Sequence, residues 1–554
     1  MNASNRCKLA QFEDGSDSVS ESEIVEYLSR AESYSERAKS LSIVETHTSR
    51  VFLTDRHAYK LKKRVRMPFL DFTTLPAREA ACRSELRLNR RFSTGVYLEL
   101  LPITWEAGGM LRLNGAGRIV DWVVKMRRLP ADRTLQCLCR DGGLGEGDRR
   151  RLSQFLAEHY RSQPPLSISV DDYRRELLEN VRGNLQELSC PGHGLPREIV
   201  RRIHAAQLRM LCLDAQLFDL RVLDGRVIDG HGDLRPDHVY LLDPIQIIDC
   251  VEFSSSFRRL DVADELGFLA MECEFLRAPE VGAEVFHAYR AATGDDPPER
   301  LIAFYKSYRA SVRAKVLAIR ESQLEDSASW PNARESCVAH RDAEFYLDLA
   351  DRYATQLGPP LLLVVCGLSG TGKTSLAKQL ADWLVLTHLQ TDMIRSEVFC
   401  NPGEPAMFNS GIYSQDCREL VYKEMFRRAD ELLHDGLSVV LDGTFLTANQ
   451  RQRAATLAAH HGAQFFVVRC ETSPELARRR IQDRADKGHS LSAIRPEFLD
   501  SQQTLLEPDL VPFPGFKLDT TVAPDSQLCE ILDRLRSTRC ASSMPEPAVS
   551  HSPS

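Results

Sequence analysis

The segment from Leu361 to Leu384 constrains the fold of this chain more than any other. Residues 361–366 are an unbroken apolar run, typical of a buried parallel strand. Residues 367–374 read G-L-S-G-T-G-K-T, which fits the pattern G-x-x-x-x-G-K-[ST], and apolar residues at helical spacing follow. This strand, glycine-rich turn and helix predict a parallel α/β sheet whose loop cradles phosphate groups.

The residue types in this loop suit a nucleotide phosphate. Glycines let successive backbone N–H groups curl around the phosphates, and the helix N-terminus adds partial positive charge. We expect Lys373 to reach the β- and γ-phosphates and Thr374 to hold Mg²⁺, so that ATP and Mg²⁺ are the predicted ligands. The predicted nucleotide-binding residues of the loop are Gly367, Ser369, Gly370, Thr371, Gly372, Lys373, Thr374 and Ser375.

Composition narrows the class of protein. The chain has 554 residues, with 27% charged and 43% hydrophobic, as in soluble globular proteins. A net charge of -7 is small for this length and does not predict a nucleic-acid or membrane partner. The apolar runs are far shorter than the roughly 18 residues of a membrane span. The 15 cysteines lack C-x-x-C spacing, which predicts free thiols in a reducing cytoplasm.

Breaks in composition predict two domains. Met1 to Glu23 is rich in Ser, Asp and Glu, the end from Ser537 is rich in Ser and Pro, and residues 358–360 read G-P-P. The predicted segments are a disordered tail over 1–23, a first domain over 24–355, a linker over 356–360, a second domain over 361–536 and a disordered tail over 537–554.

The first domain begins with a predicted strand lysine and helix glutamate. The predicted elements are a helix over Ile24–Leu41, a hairpin of Val44–Leu53 and Ala58–Lys63, a helix over Arg78–Phe92 and a strand over Val120–Leu129. Lys60 lies on the hairpin and Glu85 on the helix, the arrangement with which protein-kinase-like folds hold the α- and β-phosphates. The alternative is that both are ordinary solvated side chains.

A second motif follows. Residues 231–241 read H-G-D-L-R-P-D-H-V-Y-L, and residues 246–253 read Q-I-I-D-C-V-E-F. A carboxylate on a tight loop, a metal-ligand candidate five residues later and a strand ending in a carboxylate would orient a hydroxyl and hold Mg²⁺. The segment resembles the catalytic loop of the aminoglycoside phosphotransferase family, H-G-D-L-x-x-x-N followed by I-D-[FW]. The resemblance implies a bilobal α+β protein-kinase-like domain. It makes Asp233 the catalytic base and Asp249 a metal ligand, with Lys60 and Glu85 positioning phosphate.

Two positions depart from that pattern. His238 stands at the metal-binding asparagine, although Mg²⁺ prefers oxygen ligands. Residues 45–49 read E-T-H-T-S where the family has a glycine-rich loop. The sequence leaves three interpretations of this domain open: an active kinase, a nucleotide-binding domain with little turnover, and a pseudokinase.

In the second domain, acidic residues follow predicted strands. A strand over Thr387–Thr391 leads to Asp392 and Arg395, and a strand over Ser438–Leu441 leads to Asp442. Because ligands of open α/β sheets bind beyond the carboxyl ends of strands, we expect Asp392 to accept a substrate proton and Arg395 to hold a polar part of the substrate. The alternative is a helix-capping aspartate with a solvated arginine. Asp442 is the second predicted Mg²⁺-directed carboxylate.

The sequence after the third predicted strand of the second domain predicts a mobile lid that carries arginines. A strand over Gln464–Arg469 precedes a helix with Arg480 and Arg484 on one face, which would neutralise the transferring phosphoryl group. A basic solvated face is the alternative. This domain resembles P-loop kinases of the polynucleotide-kinase, zeta-toxin and gluconate-kinase type. Over residues 25–540 the fusion resembles the bacterial bifunctional aminoglycoside phosphotransferase/ATP-binding protein family. The resemblance implies that Lys373, Asp392, Arg395, Arg480 and Arg484 are catalytic.

Together these features predict an ATP-dependent phosphotransferase with two nucleotide sites. The γ-phosphate would pass to a hydroxyl of a small molecule that the sequence does not identify. One alternative is a polynucleotide 5′-hydroxyl kinase, although a nucleic-acid track should be basic. The other is a nucleotide-switched binding module whose first domain is a pseudokinase.

Overall fold

A computed structural model describes residues 19–36, 38–46, 48–67, 70–326, 330–399, 411–486, 498–508 and 513–542. The described residues of Met1–Ser169 and Arg221–Lys306 form one compact unit, and those of Val170–Leu220 and Ser307–Ser554 form another. We call them unit 1 and unit 2. The predicted boundary at 356–360 stays a prediction. Within the described ranges, no helix combines the length and apolar character that a membrane span requires.

Unit 1 opens with an antiparallel sheet. Its first elements are α1 (Glu21–Leu28), β1 (Ser42–Glu45), β2 (Ser49–Leu53), β3 (His57–Lys62), β4 (Arg66–Met67), β5 (Leu70–Asp71), α2 (Leu75–Asn89), β6 (Tyr97–Trp105), β7 (Leu111–Leu113) and β8 (Arg118–Arg127). The large sheet has the order β1-β2-β3-β8-β6-β7. Phe52, Tyr59 and Leu61 pack with α1 on one face of the sheet. Cys82 of α2 packs on the other face with Val124.

Two of the predicted elements in this region are wrong. The helix predicted over Ile24–Leu41 ends at Leu28. The buried Tyr34 donates a hydrogen bond from its hydroxyl to the Leu28 carbonyl, and its ring lies 4.6 Å from that of Tyr59, so packing on the sheet turns the chain. The strand predicted over Val44–Leu53 is two strands, β1 and β2, which pair as a hairpin. The helix and the strand predicted around residues 78 and 120 are confirmed as α2 and β8.

The chain then becomes mainly helical. The elements are α3 (Leu135–Arg140), α4 (Glu146–Arg161), α5 (Val170–Leu188), α6 (Arg197–Leu213), α7 (Ala215–Leu223), β9 (Val227–Asp229), β10 (Val239–Tyr240), β11 (Gln246–Ile247), β12 (Arg259–Asp261), α8 (Val262–Phe275), α9 (Pro279–Thr293), α10 (Glu299–Asp326) and α11 (Trp330–Ala354). In unit 1, α4, α8 and α9 form one core with Leu234, Val239 and Ile247. This core supports the loop that carries residues 231–238.

Unit 2 contains the parallel sheet that the sequence predicts. Its elements are β13 (Leu361–Cys366), α12 (Lys373–Leu384), β14 (Thr387–Gln390), α13 (Thr391–Phe399), α14 (Gln415–His434), β15 (Val439–Asp442), α15 (Ala448–His460), β16 (Gln464–Glu471), α16 (Pro474–Asp486), α17 (Phe498–Thr504), β17 (Gly515–Asp519) and α18 (Pro524–Ser542). The strand order is β14-β15-β13-β16-β17, and every pairing is parallel. The predicted strand over 361–366 is confirmed residue for residue.

Apolar layers cover both faces of this sheet. On one face α12 and α18 pack with Leu363, Val365 and Cys212 of α6. On the other, α14 and α15 pack with Leu362 and Val364. All six residues of β13 are buried. The central strand therefore places the loop after Cys366 at the carboxyl edge of a rigid sheet.

Candidate functional site

At two positions in the loop between β13 and α12, the backbone conformation and its close neighbours leave room for glycine only. Gly367 has a φ of +137°, and a Cβ there would lie 2.4 Å from the carbonyl oxygen of Cys470. Gly370 has a φ of +78°, and a Cβ would lie 2.4 Å from the carbonyl oxygen of Ala477. Gly372 also has a positive φ, of +86°. The neighbouring backbone thus leaves no room for side chains, and N–H groups line the turn instead.

Lys373 folds back over this loop. Its Nζ atom donates a hydrogen bond to the carbonyl oxygen of Leu368 at 2.7 Å. Burial lowers the pKa of Lys373, and the carboxylates of Asp442 and Asp392 oppose that shift. The Leu368 carbonyl that accepts this hydrogen bond is neutral. A negatively charged phosphate would bind the ammonium group more strongly and would replace the carbonyl as its partner.

A cavity next to the loop brings most of the predicted residues of unit 2 together. Gly367, Thr371 and Arg480 lie outside its lining. Arg480 instead donates from its NH2 atom to the carbonyl oxygen of Thr520 at 2.9 Å. The predicted residues that line the cavity are Ser369, Gly370, Gly372, Lys373, Thr374, Ser375, Asp392, Arg395, Asp442 and Arg484.

Asp392 and Arg395 form an ion pair at this cavity. Strand β14 ends at Gln390, so Asp392 lies in the first turn of α13 and Arg395 one turn later. Arg395 is only 8% exposed, and its guanidinium carbon lies 4.6 Å from the centre of the Tyr413 ring. The alternative of a solvated arginine is therefore wrong.

Asp442 ends the neighbouring strand β15 and is buried. Its Oδ2 atom lies 3.2 Å from Nε2 of His388. Thr374, at the start of α12, lines the same cavity and supplies a hydroxyl oxygen. Hydroxyl and carboxylate oxygens are ligands that Mg²⁺ prefers, so this pair fits a magnesium ion.

Sequence reasoning missed several residues of this cavity. Gln502 of α17 accepts a hydrogen bond from the backbone N–H of Ser369 at 2.9 Å. Tyr413, Arg418 and Tyr422 also line the cavity. The partners Gln502 and Ser369 are 133 residues apart, and no local pattern marks such a contact. Residues 487–497, which follow the helix of the predicted lid, lie outside the described residues.

Unit 1 holds a separate buried network of charges. Nζ of Lys60 lies 2.7 Å from Oε1 of Glu85 and 2.5 Å from Oδ1 of Asp249. Lys62, two residues further along β3 and on the same face, lies 2.6 Å from Oε2 of Glu85 and pairs with Glu252. Lys62 and Glu252 were not predicted. Alternate residues of a strand point to the same face, and this pattern could have shown that Lys62 lies beside Lys60.

Charge pairing governs ionisation in this network. Burial opposes the charged form of Lys60, but Asp249 and Glu85 outweigh it and raise the pKa of Lys60 well above its ordinary value. Burial likewise opposes ionisation of Asp249, yet the Lys60 ammonium group holds the pKa of Asp249 well below its usual range. Lys60 and Asp249 are therefore charged together.

The predicted catalytic loop lies beside this network. Asp233 donates from its backbone N–H to Nδ1 of the buried His231 at 3.3 Å. Burial lowers the pKa of His231 to about 3, so this ring is neutral. Glu265 accepts hydrogen bonds from the backbone N–H groups of His231 and Gly232 at 2.6 and 2.9 Å and so fixes the loop.

His238 faces both acids of the candidate site. Its Nδ1 atom lies 2.9 Å from the backbone carbonyl oxygen of Asp233, and its Nε2 atom lies 3.6 Å from Oδ2 of Asp249 and 3.1 Å from NH2 of Arg235. Since Arg235 only donates, Nε2 accepts that bond and Nδ1 carries the proton. His238 as a metal ligand stays a prediction, and this arrangement disfavours it. His47, in the segment that replaces a glycine-rich loop, lies outside the described residues.

Comparison with known proteins gives relatives that match most of the chain and a family model that matches part of it. Residues 362–508 match a family model described as "AAA domain". An uncharacterized protein of Mycobacterium tuberculosis is 33% identical over 451 residues, which cover 80% of this chain and 86% of the relative. An uncharacterized protein of Mycobacterium bovis matches to the same extent. The family match therefore spans the phosphate loop and its cavity.

Solved structures give lower similarity. A gluconokinase from Sinorhizobium meliloti is 19% identical and covers 34% of this chain and 98% of its own, with a TM-score of 0.25. A choline/ethanolamine kinase family protein from Mesorhizobium loti is 12% identical and covers 60% of this chain and 98% of its own, with a TM-score of 0.36.

Proposed function

This chain belongs to one family with the uncharacterized mycobacterial proteins, and we propose that it is an ATP-dependent phosphotransferase. Support for this function comes from the residues of this chain. The observation that carries the proposal is the cavity in which Lys373, Asp392 and Asp442 meet at one edge of the parallel sheet. A phosphate-binding loop, a candidate base and a metal-directed carboxylate are the parts that phosphoryl transfer needs.

In the proposed reaction, the unit 2 cavity positions ATP against a hydroxyl group. Asp392 accepts the hydroxyl proton as the new bond from oxygen to the γ-phosphorus forms and the bond from that phosphorus to the ADP oxygen breaks. Lys373 leaves the Leu368 carbonyl and neutralises the β- and γ-phosphates. Thr374 and Asp442 would hold Mg²⁺, which lowers the repulsion between phosphate and incoming oxygen when it is bound.

Arg395 and the lid arginines have supporting roles in this proposal. Arg395 holds the Asp392 carboxylate in place through their ion pair and lines the same cavity, where it would hold a polar part of the acceptor. Arg484 lines the cavity and would stabilise negative charge on the transferring group. Arg480, which binds Thr520, acts only if it leaves that contact.

For unit 1 we propose a second nucleotide site in a protein-kinase-like domain. Supporting this is the network that joins Lys60, Glu85 and Asp249, with Asp233 and His238 alongside. Asp233 would orient the acceptor hydroxyl, Lys60 would bind phosphate and Asp249 would hold Mg²⁺. An active kinase, a domain with little turnover and a pseudokinase are the outcomes that experiment separates.

An acceptor screen tests the proposal. ADP release is measured for the full chain with ATP and Mg²⁺ against panels of small hydroxylated compounds. We expect at least one compound to stimulate release, and Asp392→Asn to lower that release by about 10²- to 10⁴-fold. Loss in Asp233→Asn instead assigns the activity to unit 1. Lys378→Ala, on the exposed side of α12, is the matched control for Lys373→Ala.

A negative result is equally specific. If ATP binds but no hydroxylated compound stimulates its turnover, the enzyme proposal fails and the nucleotide-switched binding module replaces it. If DNA or RNA with a 5′-hydroxyl is the only acceptor, the small-molecule assignment fails.

A further inference from the structure

Three potential metal ligands converge in unit 2 at the end of helix α5. They are the carboxylate of Glu187, the thiol of Cys190 and the imidazole of His193, and one ligand atom of each lies within 4.8 Å of the other two. Glu187 belongs to the last turn of α5, whereas Cys190 precedes and His193 ends the short 3₁₀ turn Pro191–His193. Nothing in the proposed phosphotransfer uses these residues.

Two of the three side chains are already in contact, and the Cys190 thiol donates a hydrogen bond to the nearby backbone carbonyl oxygen of Gln186 at 3.5 Å. His193 is only 7% exposed, and its Nε2 atom lies 3.1 Å from Oε1 of Glu187. Its other ring nitrogen, Nδ1, lies 3.3 Å from Oγ of Ser322, which fixes the ring from behind. Such a second hydrogen bond is what orients histidine ligands in metal sites. Cys190 is a free, exposed thiol.

We propose that Glu187, Cys190 and His193 bind one zinc ion. Zinc takes thiolate, imidazole and carboxylate ligands in a tetrahedral arrangement and accepts water as its fourth ligand. Tetrahedral bonds of this length place ligand atoms about 3.3 to 3.7 Å apart, so the cluster needs side-chain shifts of about 1 Å. A thiolate and an imidazole also favour zinc over magnesium, which sets this site apart from the cavity beside the phosphate loop.

Zinc here would tie the end of α5 to the turn that leads into α6. Gly194, which follows His193, has a φ of +66° and sets the direction in which the chain leaves the turn. Further along, α6 contributes Cys212 and Leu213 to the core of the parallel sheet. Because zinc would bind the folded turn only, its addition should raise the melting temperature of unit 2.

Cobalt titration of the reduced, chelator-treated full chain tests the site. Co²⁺ bound by a thiolate gives a charge-transfer absorption band that Zn²⁺ then removes by displacement. We expect one equivalent of Co²⁺ to bind with this band. Cys190→Ser should abolish the band, and His193→Gln should weaken Zn²⁺ binding by at least about tenfold. Cys529→Ser, which removes another exposed thiol, should leave both unchanged.

A wild-type chain without the thiolate band overturns the proposal, and so does a band that survives Cys190→Ser. Circular dichroism of the metal-free variants checks that each one is folded. Should Cys190→Ser or His193→Gln unfold, Glu187→Gln decides, because the Glu187 side chain is 40% exposed and its replacement keeps the backbone hydrogen bond from the Cys190 N–H to the carbonyl oxygen of residue 187. Unchanged Zn²⁺ affinity in Glu187→Gln removes the carboxylate from the ligand set and overturns the three-ligand site.

Discussion

Nζ of Lys60 lies 2.7 Å from Oε1 of Glu85, so a buried ion pair joins strand β3 to helix α2. Glu85 is fully buried and also binds Lys62 through its second oxygen. Replacing Glu85 by Gln removes the negative charge that the buried ammonium groups of Lys60 and Lys62 share. We therefore predict that Glu85→Gln lowers the free energy of unfolding of unit 1 by about 3 to 5 kcal/mol. Guanidinium chloride denaturation measures this loss.

The matched control for this prediction lies on the same helix. Glu79 pairs with Arg83 on the surface of α2, and surface pairs contribute about 0 to 1 kcal/mol. Glu79→Gln should therefore change the unfolding free energy by less than about 1 kcal/mol. Equal losses of unfolding free energy in Glu85→Gln and Glu79→Gln would show that the buried ion pairs contribute no more to stability than the surface pair does.

A pH dependence follows from His231. Its pKa is about 3 in the folded chain, where burial is the main cause, and about 6.5 when unfolded. Between these values only the unfolded chain binds the proton, so stability is lost as the pH falls below about 6.5, by about 1.4 kcal/mol per pH unit. His231→Gln should reduce the slope of unit 1 by about 1.4 kcal/mol per pH unit, as measured by denaturation at successive pH values. The slope due to His159, whose pKa burial lowers to about 4, should remain. His287→Gln, at an exposed position of α9, should leave the full slope unchanged.

The backbone of the phosphate loop gives a prediction about Gly370. Gly370 and Gly462 both have a positive φ, but an added Cβ meets the Ala477 carbonyl at 2.4 Å in the first case and nothing within 4 Å in the second. We expect Gly462→Ala to lower the unfolding free energy of unit 2 by about 1 kcal/mol. Gly370→Ala should lower it further and abolish ATP binding at the unit 2 cavity while leaving the proposed unit 1 site unchanged, as denaturation and calorimetry would show. Normal ATP affinity in Gly370→Ala would contradict the assigned cradle.

Magnesium dependence tests the role of Asp442. This buried carboxylate ends β15 and faces the same cavity as Thr374. Asp442→Asn removes one negative charge from the proposed metal ligands, and so should raise the Mg²⁺ concentration that gives half-maximal turnover by about tenfold or more. Asp382→Asn, at an exposed position of α12, should not change it. An unchanged Mg²⁺ requirement in Asp442→Asn would exclude Asp442 from the metal site.

The sequence predicted best what is encoded locally. The apolar run of β13, the glycines after it and the acids at the ends of β14 and β15 follow from neighbours along the chain, and the structure has them at those positions. Contacts between residues that are far apart in the sequence could not be predicted from local patterns. Glu252 reaches Lys62 from 190 residues away.

Tertiary packing also overruled local pattern. The helical spacing of Ile24–Leu41 continues past Leu28, but Tyr34 gains more by packing on Tyr59 in the core of the sheet. In the same way, nothing in the sequence around His238 shows that Arg235 and the Asp233 carbonyl occupy both of its ring nitrogens. The site roles assigned to these residues therefore stay predictions until variants are measured.

Calorimetric titration of ATP with Mg²⁺ into the full chain is the sharpest check on the assignment of an ATP site to the phosphate loop of unit 2. We expect a wild-type site whose affinity falls by at least about tenfold in Lys373→Ala, because a charge-assisted contact to phosphate is lost. Lys378→Ala, five residues further along the chain on α12, should bind as the wild type does. No ATP binding by the wild type, or the same isotherm for Lys373→Ala, would contradict it.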